Sequence, residues 1–304
     1  MLIETADQYD AERLRAFDRP APAASCLLAP PTHFQVRGED NPHMVGRLGS
    51  VDVERATLQW RGLVAALRDL GLVVHLLEPL PDLPDLCFTA NPSLAGLGAR
   101  GRPFVVRSRM GHAQRRREPD LHAAWFARRG VPVLDPWEGR EEPGGVVWEG
   151  GGDSLWHPGR HFLWAGYGQR SQRAAHQGLS RTLRVPMALL RLVDPVFYHL
   201  DTCLALLDRE TAVWVPEAFD ETARELLRHA FPRLLEVEAA EARGRLAANL
   251  YCPDGKAVLL PDAAPRTRRR LEAAGFRVRE VPLDEFLKSG GSVFCLKQEL
   301  PLGC

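Results

Sequence analysis

The chain has 304 residues, 45% hydrophobic and 26% charged, enough apolar material for a large folded core. Its 39 Lys and Arg balance 39 Asp and Glu, so no net charge draws it toward nucleic acid or an anionic membrane. The cysteines at 26, 87, 203, 252, 295 and 304 show no CxxC or paired Cys/His spacing, which argues against a structural zinc site. Met1-Leu2-Ile3-Glu4-Thr5-Ala6-Asp7 is too acidic for a signal peptide, and no apolar run reaches membrane-spanning length. A cytoplasmic protein without metal or cofactor is expected.

The predicted elements follow one rhythm: an amphipathic helix, a break, then an apolar strand. Ser50 to Leu70 is helical in period, with Leu58, Leu63, Ala66, Leu67 and Leu70 on one stripe. Gly71 stops it and Leu72 to Leu77 follows as a strand. The copies that follow are Asp120–Arg129 with Val131–Leu134, Ser171–Leu183 with Val185–Val193, Glu217–His229 with Leu234–Val237, and Arg266–Ala274 with Phe276–Val281. Further strand-like pieces lie between them at Cys26–Leu28, Phe104–Val106, His161–Trp164, Ala212–Val215 and Ala257–Leu260. The breaks fall about 40 to 60 residues apart, as in repeat and propeller arrangements. Five α/β units closed in one ring would share a central channel, so a single domain over residues 1–304 is expected. No Gly-rich phosphate loop precedes any helix, against a nucleotide-binding doubly wound sheet. Arg115-Arg116-Arg117 has no aromatic platform beside it and reads as solvated surface rather than a nucleic-acid stripe.

Four polar segments interrupt this apolar frame. Pro84-Asp85-Leu86-Cys87-Phe88-Thr89-Ala90-Asn91-Pro92 offers a carboxylate and an aromatic face that together could grip a flat cation, or merely a turn after proline. Trp148-Glu149-Gly150-Gly151-Gly152-Asp153 strips all bulk from a turn between two acids, which are either solvated or part of a site. Asp194 to Leu207 reads as a strand with His199 and Asp201 on one face, an expensive pair unless satisfied or used. Gly290-Gly291-Ser292-Val293-Phe294-Cys295 opens a short strand with a cysteine that is either core filling or a nucleophile.

One thiol, one imidazole, several carboxylates and an aromatic suit a guanidinium. That group is planar, permanently charged and a poor electrophile. Carboxylates can hold its N–H groups, a thiolate can attack its carbon, and a histidine can protonate the departing nitrogen and later activate water. The bound cation would itself favour the thiolate.

With these segments in order, DLCFTAN, EGGGD, FYHLDT and GGSVFCL, the chain resembles the guanidino-group-modifying, or pentein, superfamily over nearly its whole length, from Leu28 to Cys295. The resemblance implies a five-bladed α/β propeller with pseudo-five-fold repeats and a central active site. It implies Cys295 as nucleophile, His199 as general acid/base, and Glu149 holding the guanidinium or orienting His199. Asp85 and Asp201 would bind guanidinium nitrogens, with Phe88 and Asn91 lining the pocket. Arg109, Arg115 and Arg170 fall near positions where relatives place arginines for the substrate's α-carboxylate. Cys203 and Cys304 are read as structural or incidental.

Hydrolysis of the guanidino group of arginine, of dihydrolase or deiminase type through a Cys thiouronium, is the leading expectation. Asp201 asks for a free terminal NH₂, which a doubly methylated nitrogen lacks; the alternative is a dimethylarginine dimethylaminohydrolase. An amidinotransferase and a non-catalytic propeller acting as a binding module are further alternatives. The expected partner is a small guanidino molecule, with no nucleic acid and no membrane; a homo-oligomer is left open.

Overall fold

The computed structural model describes residues 1–18, 25–98, 101–139 and 145–300. Cys304 lies outside them. The fold is mixed α/β, and among the described residues the strands form five sheets.

The sheets share one plan. In four of them a short strand lies antiparallel to a second strand, and a helix then carries the chain to a third strand parallel to the second. The members are Gln298–Leu300, Ser25–Leu28 and Val73–Leu76; Ser93–Leu97, Pro103–Arg107 and Val133–Leu134; Ser154–Trp156, Leu163–Tyr167 and Met187–Arg191; and Leu204–Leu206, Thr211–Trp214 and Arg233–Glu236. The fifth sheet pairs Ala257–Pro261 in parallel with Arg277–Val281, and an isolated antiparallel bridge between Tyr251 and Leu259 stands for its first strand. Leu2–Ile3 adds a parallel edge beside Met187–Arg191.

The five crossover helices are Val53–Asp69, Glu118–Ala127, Arg173–Leu183, Glu221–Ala230 and Pro265–Ala273. Each matches an expected helix to within a few residues. The Asp52 side chain caps the first of them by accepting from Arg55 N, and Asp220 caps the fourth by accepting from Ala223 N. Gly71, at φ +86°, ends the first helix, and the next amide, Leu72 N, bonds back to Leu67 O at 3.1 Å. The same terminal bond recurs from Val131 to Phe126 and from Phe276 to Leu271.

Three expectations need correction. Leu58 is 66% exposed; the buried stripe of its helix runs instead through Ala56, Gln59, Trp60, Leu63, Val64, Ala66 and Leu67. The stretch from Asp194 to Leu207 is not one strand: Leu200–Thr202 is a 3-10 turn and only Leu204–Leu206 pairs in a sheet. Cys295 likewise sits in a turn, with the strand beginning at Gln298. In both places turns hold the polar groups at the edge of the sheets, where strands would have sent alternate side chains to opposite faces.

Candidate active site

Cys295 lies at one side of a narrow cleft lined also by Asp40, Asp85, Phe88, Asn91, Arg115 and Arg170. The turn that carries the thiol is fixed by close packing: a Cβ on Gly291 would come within 2.2 Å of the Phe88 ring, so the Phe88 face and the Cys295 turn can meet only at glycine. Phe88 is itself set edge-on against Phe34, with ring centroids 5.5 Å apart. The Tyr198 hydroxyl donates to Gly290 O at 2.7 Å, tying the turn of the imidazole to the turn of the thiol.

The Cys295 Sγ donates to Asp201 Oδ2 at 3.3 Å and accepts from Asn249 Nδ2 at 3.2 Å. Burial, then the charge of Asp201, push the thiol well above its ordinary pKa, against a backbone hydrogen bond from Ser292. Asp201 is also fully enclosed. Burial raises its carboxyl to about 7, partly offset by the neighbouring His199. Its second oxygen, Oδ1, is buried with no hydrogen-bond partner.

His199 and Asp201 are held by the 3-10 turn, in which the amide and the hydroxyl of Thr202 both donate to His199 O, at 3.2 and 2.6 Å. Glu149 Oε2 meets His199 Nε2 at 2.7 Å, and Glu149 Oε1 accepts from Gly111 N at 3.0 Å. Arg170 approaches the same carboxylate at 3.6 Å. Burial alone would raise Glu149; the His199 hydrogen bond and charge, then Arg170 and Arg115, outweigh it and hold the carboxyl well below the usual range. Glu149 Oε2 accepts from Nε2–H, and in the tautomer that carries only that proton Nδ1 accepts from Asn91 Nδ2, 3.4 Å away. Asn91 Oδ1 accepts from Arg115 at 3.2 Å, so the asparagine amide has one orientation consistent with both neighbours.

The glycines of EGGGD have a steric cause. A Cβ at Gly152 would come within 2.3 Å of Asn91 Nδ2 and 3.3 Å of the His199 ring. Asp153, the second acid of this segment, is buried and fastens two turns: it accepts from Leu200 N at 3.0 Å and from the Ser171 hydroxyl at 2.6 Å.

Of the residues expected from sequence, Cys295, Asp85, Phe88, Asn91, Arg115 and Arg170 line the cleft. Glu149, His199 and Asp201 are reached from it by single contacts through Arg170, Asn91 and Cys295. Arg109 is not brought to the cleft lining; its head group pairs with Asp135 at 3.0 Å and its backbone with Trp148. Arg115 lines the cleft, yet its guanidinium is engaged with both oxygens of Glu118, with Asn91 Oδ1 and with Phe88 O. Sequence reasoning passed over Asn249, Asp40 and Gln114. Gln114 Nε2 donates to Asp40 Oδ2 at 2.7 Å and to Asp85 Oδ2 at 3.0 Å, so one amide bridges two carboxylates. Burial raises the pKa of Asp85, opposed by Arg115 and reinforced by Asp40. Among the described residues, no group of three or more His, Cys, Asp or Glu is placed to hold a metal ion, and no helix is long and apolar enough to cross a membrane.

Sheets of this plan, with a thiol bonded to a buried carboxyl and an imidazole clamped by a carboxylate, agree with the guanidino-group-modifying class to which comparison with known proteins assigns the chain. A family model described as N,N dimethylarginine dimethylhydrolase, eukaryotic, matches residues 40–302, and the chain belongs to that family. It is 39% identical, over 90% of its length and 84% of the relative's, to the N(G),N(G)-dimethylarginine dimethylaminohydrolase of Mycobacterium tuberculosis. It is 35% identical to the bifunctional arginine dihydrolase/ornithine cyclodeaminase ArgZ of Synechocystis, over 89% of this chain. The chain spans only 37% of ArgZ's length. The solved N-terminal domain of ArgZ, covalently bound to a reaction intermediate, superimposes with a TM-score of 0.83 at 33% identity, covering 91% of this chain and 97% of that domain.

Proposed function

We propose that this chain hydrolyses the guanidino group of unmethylated arginine through a covalent intermediate on Cys295. The observation that carries the proposal is the Cys295–Asp201 pair: a thiol held at 3.3 Å from a buried carboxyl whose other oxygen has no partner. A buried carboxylate oxygen left bare is costly, and a planar cation with several N–H groups is a fitting complement. Asp85 offers a second carboxylate in the same cleft, and Phe88 offers a ring face.

In this mechanism the cationic substrate offsets the charge of Asp201 and so favours the thiolate. His199 takes the thiol proton as sulfur bonds to the guanidinium carbon. It gives that proton to a terminal nitrogen as the C–N bond breaks, releasing ammonia and leaving a thiouronium. His199 then accepts a proton from water as the oxygen adds to the same carbon. The C–S bond breaks, sulfur is reprotonated, and citrulline and one proton leave. A second round on the ureido product, consuming one more water and releasing its terminal nitrogen as ammonia and its carbon as carbon dioxide, would yield ornithine. Glu149 acts here by orienting His199, since both of its oxygens are already engaged. The relatedness to ArgZ and its covalently bound structure supports this reading.

The proposal extends to the architecture and setting. The five sheets would be the blades of one α/β propeller domain over residues 1–304, with the cleft at its axis. A mechanism needing a free thiol suits a reducing compartment such as the cytoplasm, with homo-oligomers compatible with it. The family description and the mycobacterial relative favour a second substrate, dimethylarginine. Incubation with arginine and with dimethylarginine, followed by quantitation of ammonia, citrulline, ornithine and dimethylamine, separates the two. Ammonia from arginine is expected to form faster than dimethylamine from dimethylarginine. Cys295→Ser should lower turnover by more than about a thousandfold while leaving the melting temperature nearly unchanged. Full activity in Cys295→Ser would defeat the proposal.

A further inference from the structure

The Cys295 turn and the Asp201 turn meet on a third side chain, Asn249, which lies just before the Tyr251 bridge of the fifth sheet. Asn249 is fully buried. Its Nδ2 donates to Asp201 O at 2.8 Å and to Cys295 Sγ at 3.2 Å. Its Oδ1 accepts from Phe294 N at 2.9 Å and from Cys295 N at 3.3 Å. All four hydrogen-bonding positions of the amide are therefore used, and the reversed amide would set N–H groups against two backbone N–H donors. The backbone is held as well: Asn249 N bonds to Leu246 O at 2.8 Å, closing a turn in which Leu246 takes a left-handed φ of 50°.

We propose that Asn249 is a further catalytic residue: it fixes the Cys295 sulfur in place and is the neutral donor that remains on it when the proton leaves. This rests on the reading of Cys295 as nucleophile. The reason is electrostatic. While protonated, the sulfur donates to Asp201 Oδ2; once ionised, it faces that acid and needs a donor instead. A lysine or arginine would supply one, but would also repel a guanidinium arriving at the same sulfur. An amide N–H stabilises the thiolate at little cost to the binding of the cation. Because the amide is locked by its other three bonds, it needs no reorganisation when charge appears on sulfur.

The decisive variant is Asn249→Asp, which keeps the acceptor for Phe294 N and Cys295 N and replaces the donor to sulfur and to Asp201 O by a carboxyl oxygen. Two readouts are taken on the full chain. One is the pH profile of Cys295 alkylation by iodoacetamide, followed at the Cys295 peptide by mass spectrometry; the other is the steady-state turnover of arginine. The alkylation midpoint is expected to rise by about one pH unit. The kcat is expected to fall about tenfold to a hundredfold. Asn249→Ser, smaller and uncharged, should fold, and should lose rate with a smaller shift in the alkylation profile. Wild-type rate and profile in a folded Asn249→Asp would overturn the proposal, as would failure of both variants to fold, which would assign Asn249 to stability alone. The parent reading fails separately: it falls if Cys295→Ser is active, whereas an inactive Cys295→Ser beside a normal Asn249→Asp removes only the role of Asn249.

Discussion

Glu149 and Asp201 are both enclosed carboxyl groups, about as buried as such groups can be, yet they are displaced in opposite directions. Burial acts alike on both, so the difference lies in what surrounds them. Glu149 receives a ring N–H, a backbone N–H and a nearby guanidinium. Asp201 receives a thiol on one oxygen and nothing on the other, and Asp153 adds a second negative neighbour. One acid is complete within the protein; the other keeps one oxygen unpaired. The same burial thus accompanies a lowered, fully bonded acid and a raised, partly bonded one.

Glu149→Gln should break the complete side, with the largest effect expected from either acid. A neutral amide cannot favour the Nε2–H form of His199 as the carboxylate does, so kcat should fall about a hundredfold to a thousandfold with a smaller change in KM. The pH dependence of stability has a defined sign. Glu149 is depressed below its ordinary 4.5, so its ionised form stabilises the fold above about pH 4.5, and that contribution is lost as pH falls toward the folded value. Chemical denaturation should therefore show Glu149→Gln less stable than wild type at pH 7, with the gap narrowing at pH 3. An equal gap at both pH values would show that its charge state does not matter.

Asp201→Asn tests the incomplete side and should behave oppositely in stability. The folded state keeps a proton on Asp201 between its ordinary 3.8 and about 7, where the unfolded chain gives it up. Stability then falls as pH rises through that window, so Asp201→Asn should gain on wild type at pH 8, by up to a few kcal/mol, and not at pH 4. Its kcat/KM for arginine should nevertheless fall about tenfold to a hundredfold if, as proposed, the Asp201 carboxylate pairs with the guanidinium. Binding of arginine to the wild-type protein should release protons, measurable by calorimetry in buffers of different ionisation enthalpy. Proton uptake instead would contradict the proposed pairing of Asp201 with the cation.

The two acids also mark how far the sequence could be read. The five crossover helices and their parallel strands were legible because period, glycine stops and apolar strands agree locally, as at Leu67–Leu72 and Leu271–Phe276. Glu149, His199, Asp201 and Cys295 stood out as polar residues in apolar surroundings. Their backbone did not: alternation around His199 imitates a strand, and only the Thr202 bonds to His199 O and the Asp153 bond to Leu200 N reveal a turn. Asn249 carried a usable signal, one amide in the apolar run Leu246-Ala247-Ala248-Asn249-Leu250. Asp40 and Gln114 carried none, since each looks like an ordinary surface residue until a bond spanning 74 positions joins them.

The arginines give the smallest and sharpest test of the comparison, because three were equally eligible from sequence and the fold treats them differently. Arg115 is bound up with Glu118 and Asn91, and its removal would leave the buried Glu118 unpaired, so its loss mixes stability with function. Arg170 stands over the Tyr198 ring, donates to Asp40 O and lies 3.6 Å from Glu149. Arg109 spends its charge on Asp135 away from the cleft lining. Arg170→Met should raise KM for arginine about fivefold to tenfold, since it removes a charge from both the complete acid and the cleft. Arg109→Ala should change KM by less than about twofold, the cost of a half-exposed ion pair falling on stability instead. Steady-state kinetics on both variants, with melting curves alongside, separates the two roles. A larger KM effect from Arg109 than from Arg170 would mean that the substrate reaches beyond the lining of the cleft toward Asp135.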